Sequence, residues 1–452
     1  MRYFTGLFLG LLTFILSMYV VISDVFEING YVLIHIIIIA ISSFSLFSYG
    51  NRSYSLYKIY HIFNLFFIGI APVLQYTANS RFIGEPEIPY KYKMITSVVF
   101  LISTIVYNSL YFLVNSKFSI KYLENLNVKL SVFNMKGNRF SLLFKVLMIF
   151  ISLICFYMIF MVNNFNILSM LFRGGIFNDK VEVEKSLSLL IDKFFRPLSL
   201  VLFIISFMYN RKAWIVNSIL FLLFLITAFP LGLGRNAAAG FYLPLLLLFV
   251  PIFKKRHFFV STMIFGLLIV FPFLDTFRNI GENSEFKFGL NFEMFTQLHF
   301  DAYITLARVI YHDIITYGYQ LLGVFLFFVP RSIWPLKPLS SGQFHANEIG
   351  LTFDNLACTY LAEGYINFGY FGVFIFIIFI AYTSAVLDKA YWSLKNKNSY
   401  FNVIYVLLLG MFLFVLRGDL MNSYAYTFGL IFTAILGYML LLYISSIKFK
   451  IK

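Results

Sequence analysis

The stretch Tyr317-Gly318-Tyr319-Gln320-Leu321-Leu322-Gly323-Val324-Phe325-Leu326-Phe327-Phe328-Val329 decides the fold, because the number of membrane crossings turns on it. It is apolar but well short of the roughly 20 residues that a spanning helix requires. A crossing here would also move Lys389, Lys395, Lys397 and the tail lysines Lys448, Lys450 and Lys452 to the opposite face. We therefore read it as a buried, interfacial or re-entrant helix inside a large polar loop, residues 275–364. Nine predicted spans precede that loop (residues 1–274) and three follow it (365–452).

The rest of the chain demands a membrane. It is 60% hydrophobic and 12% charged over 452 residues, about half the charged fraction of an ordinary soluble domain. Apolar runs near 4–22, 30–48, 59–77, 94–114, 143–162, 195–209, 213–229, 237–253, 258–274, 365–387, 400–416 and 425–446 predict about twelve transmembrane helices. No small-residue cleavage site clearly follows the first run, so we expect an uncleaved helix. With both termini cytoplasmic, inside segments hold 20 Lys and Arg against two acids, Glu124 and Asp388, while outside segments hold 15 against 18. That asymmetry follows the positive-inside rule and puts the large loop outside. The net charge of +15 is then topogenic. It suits anionic membrane lipids, and we expect no nucleic acid partner. Cys155 and Cys358 fall in different regions and indicate no disulfide.

Within the loop, Phe292, Phe295, Leu298, Ala302, Leu306, Val309 and Ile310 recur at helical spacing, with Glu293, Gln297, Asp301 and Arg308 between them. This predicts an outer-face helix over 291–313, lying on the bilayer surface or acting as a lid on the bundle. No internal repeat is evident, which weakens a transporter built from matching halves.

Chemistry gathers at outer-side charges. Arg235 lies in Pro230-Leu231-Gly232-Leu233-Gly234-Arg235-Asn236-Ala237, a glycine-rich turn opening a helix, where backbone N–H groups and a guanidinium suit a phosphate or carboxylate; snorkelling to headgroups is the simpler alternative. Arg278 begins the loop, with Asp275 close enough for a salt bridge. Arg331, Trp334 and Lys337 sit in Pro330-Arg331-Ser332-Ile333-Trp334-Pro335-Leu336-Lys337-Pro338, where prolines stiffen the backbone holding two cations; the alternative is an interfacial anchor. Arg417 and Asp419 share the last inter-span turn and either pair locally or contact substrate. Glu363 lies at an apolar boundary, where burial would suit it to acid–base work, although helix-start preference also explains it. Asp354 is a weaker alternative. His299, His312 and His345 form no metal-ligand spacing, and only His345 is kept as a substrate contact. No phosphate-binding loop, dinucleotide fingerprint, GxSxG elbow or CxxC motif occurs. We expect no cofactor and no metal.

Phe328-Val329-Pro330-Arg331-Ser332-Ile333-Trp334-Pro335-Leu336-Lys337-Pro338, then Gly364-Tyr365-Ile366-Asn367-Phe368-Gly369, resemble the O-antigen polymerases, also called oligosaccharide repeat-unit polymerases. Gly234-Arg235 and the Arg417-Gly418 turn fit the same family. The resemblance covers most of the chain through its spans and late outer loop, but only the Pro-Arg-to-Lys-Pro stretch is fairly specific. It implies a GT-C-like, all-α polytopic glycosyltransferase of the bacterial inner membrane, with its large helical loop in the periplasm. Its substrates would be undecaprenyl-diphosphate-linked oligosaccharides, and its partners a chain-length-regulating co-polymerase and a flippase. The growing glycan would move to the non-reducing end of a new lipid-linked unit. Arg235 and Arg331 would hold the donor diphosphate, and Arg278 and Arg417 would extend that site or hold the acceptor lipid's diphosphate. Trp334 and Tyr365 would stack on sugar. Chemistry alone, and not the resemblance, nominates Glu363 or Asp419 to take the acceptor proton. The rivals are a lipid-linked oligosaccharide flippase or transporter, and an O-antigen ligase.

Overall fold

The computed structural model describes residues 2–22, 28–49, 51–80, 87–117, 142–172, 191–209, 211–270, 292–393 and 400–446. Among these residues it is helical, without strands. Before the loop come α1 (Arg2–Ile22), α2 (Gly30–Ser48), α3 (Leu56–Thr77), α4 (Tyr90–Lys117), α5 (Leu142–Val162), α6 (Arg196–Tyr209), α7 (Trp214–Thr227), α8 (Arg235–Phe249) and α9 (Phe258–Val270). The loop contributes α10 (Ala302–Tyr311), α11 (Tyr319–Phe325) and α12 (Ser341–Glu348). The chain ends in α13 (Tyr360–Ser393), α14 (Tyr400–Arg417) and α15 (Leu420–Ser446).

Each predicted span overlaps one of these helices; the last four residues of the ninth, 271–274, lie outside the described residues. Eight helices among the described residues are long and apolar enough to cross a membrane, as expected of a polytopic membrane protein. α8, α9 and α14 are shorter apolar helices. A π-helical turn, Ile191–Phe195, precedes α6, so the sixth segment begins further back than residue 195.

Many lipid-compatible side chains remain exposed, including Phe4, Leu33, Phe150, Trp214 and Phe379. In water these would be a liability; in hydrocarbon they need no cover. The packed interior is centred on α3, of whose most apolar stretch 94% is buried. Beside it, α13, α14, α15 and α11 enclose an apolar groove of about 450 Å³ whose walls include Val324, Phe379, Phe412 and Tyr424.

The loop is fastened to the bundle by a break in α13. Phe368 (φ −147°, ψ 24°) and Gly369 (φ 61°, ψ −148°) leave helical geometry, which frees preceding carbonyls from their intrahelical donors. Ile366 O accepts from Thr316 N (2.7 Å) and Asn367 O from Gly318 N (2.9 Å). The Asn367 side chain takes Leu321 N (2.8 Å). Gly369 supplies the positive φ at no side-chain cost. The motif Gly364 to Gly369 is thus a docking break for the loop.

Two expectations need revision here. The helix predicted over 291–313 is three pieces, 3-10 turns at Phe292–Thr296 and Leu298–Phe300 and then α10; residue 291 lies outside the described residues. Nor is its polar side exposed throughout: Glu293 is exposed and Gln297 half-buried, but Asp301 and Arg308 are each 1% exposed. That face meets other loop and bundle groups, so α10 is a buried lid helix and does not lie on a surface. The segment 317–329 does form a short helix, α11, only seven residues long.

Candidate functional site

In the Pro330–Pro338 turn the cations first serve the turn itself. Arg331 donates to Lys337 O (2.5 Å) and Pro338 O (3.0 Å). The Lys337 ammonium donates to Phe327 O (2.6 Å) and Val329 O (3.0 Å). The Tyr319 hydroxyl reaches Leu336 O. Prolines bring no N–H to pair these carbonyls, so long cationic side chains do it. Partial burial and the neighbouring Arg331 lower the Lys337 pKa. Trp334 stands edge-on to Tyr319 (6.4 Å), while Ile333 and Leu336 project outward, exposed.

Beneath this turn lies a buried polar cluster. Glu363 is fully buried; one oxygen accepts from Ser341 Oγ (2.7 Å) and the other from Leu420 N (2.8 Å). Asp419 accepts from Gly342 N (2.8 Å) and Asn422 N (3.2 Å). Both carboxylates therefore sit at helix starts, on α12 and α15, where unpaired N–H groups and the helix dipole favour negative charge. Burial still pushes the Asp419 carboxyl up, opposed by the N–H bonds from Gly342 and Asn422. A side chain at Gly342 would collide with Leu356 O, so the close approach of the two segments needs glycine there.

His345 is buried on the next turn of α12, its Nδ1 bonded to Ser341 O (2.8 Å). A carbonyl partner requires Nδ1 to carry the proton, leaving Nε2 as a lone-pair acceptor that has no partner. Burial pushes His345 down to about 4, and the Arg308 guanidinium adds to this. Burial and the nearby Glu363, Asp419 and Asp301 carboxylates push the Cys358 thiol well up, so it is a neutral packing group. Asp301 pairs with Arg417 at 3.2 Å.

A second polar place lies at the start of α8. Gly232, Leu233, Gly234 and Ala237 line a pocket of about 180 Å³ with Asp192, Arg196 and Tyr426. Gly234 caps α8 without a side-chain hydrogen bond, so backbone N–H groups remain to meet a ligand. Arg196 is held by Asp192 (3.0 Å) and Thr227 O (2.8 Å), and the buried Lys193 ammonium stands 2.7 Å from the Tyr426 ring centroid. Tyr426 is seven positions beyond Asp419, about 10 Å along α15.

The predicted residues thus divide. Glu363, Asp419 and His345 meet directly around Ser341 and Gly342, and Arg417 joins through Asp301 beside them. Arg331, Trp334 and Lys337 form the turn above. Tyr365 is buried, its ring edge-on to Tyr370 (5.2 Å) and its hydroxyl on Asp313 (2.8 Å), so it offers no face for stacking. The backbone of Arg235 opens α8 beside the polar pocket; its side chain, like all of Arg278 and Asp275, lies outside the described residues. Sequence reasoning missed Ser341, Gly342, Arg196 and Lys193 and assigned Arg308 to a polar surface. The legible signal was Asp192, Lys193 and Arg196 beside an apolar run, since ionisable groups there are costly and mark function. No family model, curated protein or solved structure matches this chain.

Proposed function

We propose that this chain is a GT-C-like glycosyltransferase that polymerises undecaprenyl-diphosphate-linked oligosaccharide repeat units at the periplasmic face of the bacterial inner membrane. In this reading twelve helices span, both termini are cytoplasmic and the loop 275–364 covers the periplasmic end. The observation that carries it is a pair of complementary cavities flanking α15: the apolar groove and the polar pocket at Gly232–Gly234. A lipid-linked diphosphate is an amphiphile with those two requirements, a long hydrocarbon and a compact dianion.

The α8 N-terminus, Arg235 and Arg196 bind the donor diphosphate, with Arg331 contributed by the loop and Arg278 and Arg417 extending the site. Their charge stabilises the lipid diphosphate as it leaves. The acceptor hydroxyl gives its proton to a carboxylate, Glu363 or Asp419, while its oxygen bonds to the anomeric carbon. The glycosidic bond to the diphosphate breaks in the same displacement, with inversion. Trp334, Lys337 and His345 frame the sugar side. A chain-length-regulating co-polymerase and a flippase are the partners this activity calls for.

Reconstituting the purified protein with one lipid-linked repeat unit tests the reading. A polymerase yields a ladder of glycans on lipid diphosphate. A product formed only when a lipid A core acceptor is added means a ligase, and translocation without new bonds means a flippase. Either outcome would overturn the proposal.

A further inference from the structure

Among the described residues, the bundle end opposite the loop gathers cations in excess of acids. Ser53 Oγ donates to Lys254 O (2.5 Å), tying the turn with Arg52 and Lys58 to Lys254-Lys255-Arg256-His257, although Ser53 and Lys254 are 201 positions apart. Lys58 is fully buried, its ammonium on Arg52 O (2.5 Å) and Ser53 O (3.5 Å). The acid near this group is Asp388, whose oxygens already accept from Leu56 N, Tyr57 N and the hydroxyls of Tyr111 and Tyr405. Arg52 donates to the Tyr111 hydroxyl (2.6 Å) and Asn115 Oδ1 (2.7 Å) and to no carboxylate. Among the described residues, five cations therefore gather at this end with one acid whose hydrogen bonds are already filled.

Within that surplus sits an unpartnered pair. His257 is 6% exposed, yet neither ring nitrogen has a hydrogen-bond partner, and Nε of the adjacent Arg256 is also buried without one. The His257 ring rests on Phe47 (5.4 Å between centroids), with Nε2 toward α1 at Gly6. Burial, with Lys58 and Arg256 beside it, pushes His257 down to about 4, so the ring is neutral and carries one N–H. Buried polar atoms in folded proteins almost always have partners, and orphans point to a missing group. A water would serve the ring but leave the positive charge uncancelled. An acceptor-rich anion accepts the ring N–H and cancels the charge.

We infer that Arg256 and His257, with Lys254 and Lys255 at the exposed rim, form a binding site for a phosphate group of the kind carried by anionic phospholipids. Basic pockets between spanning helices recognise such headgroups. The site is independent of the glycosyl-transfer reading and lies at the other end of the bundle.

The test follows thermal unfolding of the full-length protein in neutral detergent, titrated with short-chain phosphatidylglycerol, phosphatidylcholine or inorganic phosphate. Phosphatidylglycerol should raise the midpoint by several degrees and phosphatidylcholine should not, with the gain eroding as salt is added. Arg256→Gln and His257→Asn should each lose at least half of the gain; asparagine tolerates the left-handed backbone at this position (φ 62°). Lys255→Gln, at an exposed position, replaces either variant if it fails to fold, and should also reduce the gain. An equal gain with inorganic phosphate assigns the same site to free phosphate, and none assigns it to the lipid. Equal gains from both phospholipids, or variants that keep the full gain, would overturn the inference.

Discussion

The two ends of the bundle are closed by the same device and left with opposite electrostatic remainders. At the loop-bearing end, Glu363 and Asp419 accept backbone N–H groups at the starts of α12 and α15. At the other end, Asp388 accepts Leu56 N and Tyr57 N at the start of α3, from 332 and 331 positions away. In each case a carboxylate brought from a distant element satisfies N–H donors that a helix start cannot satisfy itself. Around Glu363 and Asp419, further acid and cation meet as the Asp301–Arg417 pair. Around Asp388, among the described residues, the additional charged groups are cations. The comparison teaches that a buried carboxylate alone does not mark chemistry; what remains after its structural bonds are counted does.

Removing the device gives the largest effect. Glu363→Ala should cost about 2–4 kcal/mol, because Ser341 Oγ and Leu420 N lose their buried acceptor. The readouts are a lowered unfolding midpoint and new protease cleavage between residues 326 and 358. Asp388→Ala should cost a similar amount without exposing the loop. Loop cleavage in both variants would break the idea that the ends are fastened separately.

Next in size is Glu363→Gln, which separates fastening from catalysis. The amide oxygen can still accept Leu420 N and the Ser341 hydroxyl can turn to accept from the amide, so stability should change by about 1 kcal/mol or less. If Glu363 takes the acceptor proton, glycan extension should still fall by about 100-fold or more. Full extension by this variant would strike Glu363 from the mechanism and leave Asp419.

Arg331→Ala should loosen the proline-rich turn by about 1–2 kcal/mol through its two lost carbonyl contacts. Hydrogen exchange of residues 326–339 would report it. Unchanged exchange would mean that the prolines alone hold the turn.

The smallest effect is a pH dependence. His345 is lowered to about 4 from an ordinary 6.5, so the unfolded chain binds the extra proton between those values. Stability from the neutral ring is complete above about 6.5 and is lost as pH falls toward 4, by roughly 1–2 kcal/mol at pH 5. Asp419, raised in the fold, works in the opposite direction, so the comparison is wild type against His345→Gln at each pH. Parallel stability curves for the two would count against a buried neutral histidine.

Apolar runs predicted where the helices lie, because lipid contact imposes a long, local signal. Glu363 and Asp419 were legible for the same reason, as acids in apolar surroundings. Their partners were not, since Gly342 lies 77 positions from Asp419 and Ser341 lies 22 from Glu363, and nothing local announces either. Arg308 misled because helical spacing separates faces without saying what covers them; here a protein interior covers the polar one. Gly369 was visible as part of a motif, but that it breaks a helix to receive Thr316 and Gly318 is a fact of tertiary packing.

The loop's fastenings also impose an order on assembly. Thr316, Gly318 and Leu321 are synthesised before the Ile366–Asn367 break that receives them, and Gly342 before Asp419. Because chains fold from the amino-terminal side as they emerge, the loop leaves the ribosome with no seat: its first half waits for α13, and Gly342 waits for the final helical hairpin, α14 and α15. That hairpin acts as a late latch: a chain ending before residue 419 would keep α1 to α14 and still lack the carboxylate that accepts Gly342 N at the α12 start.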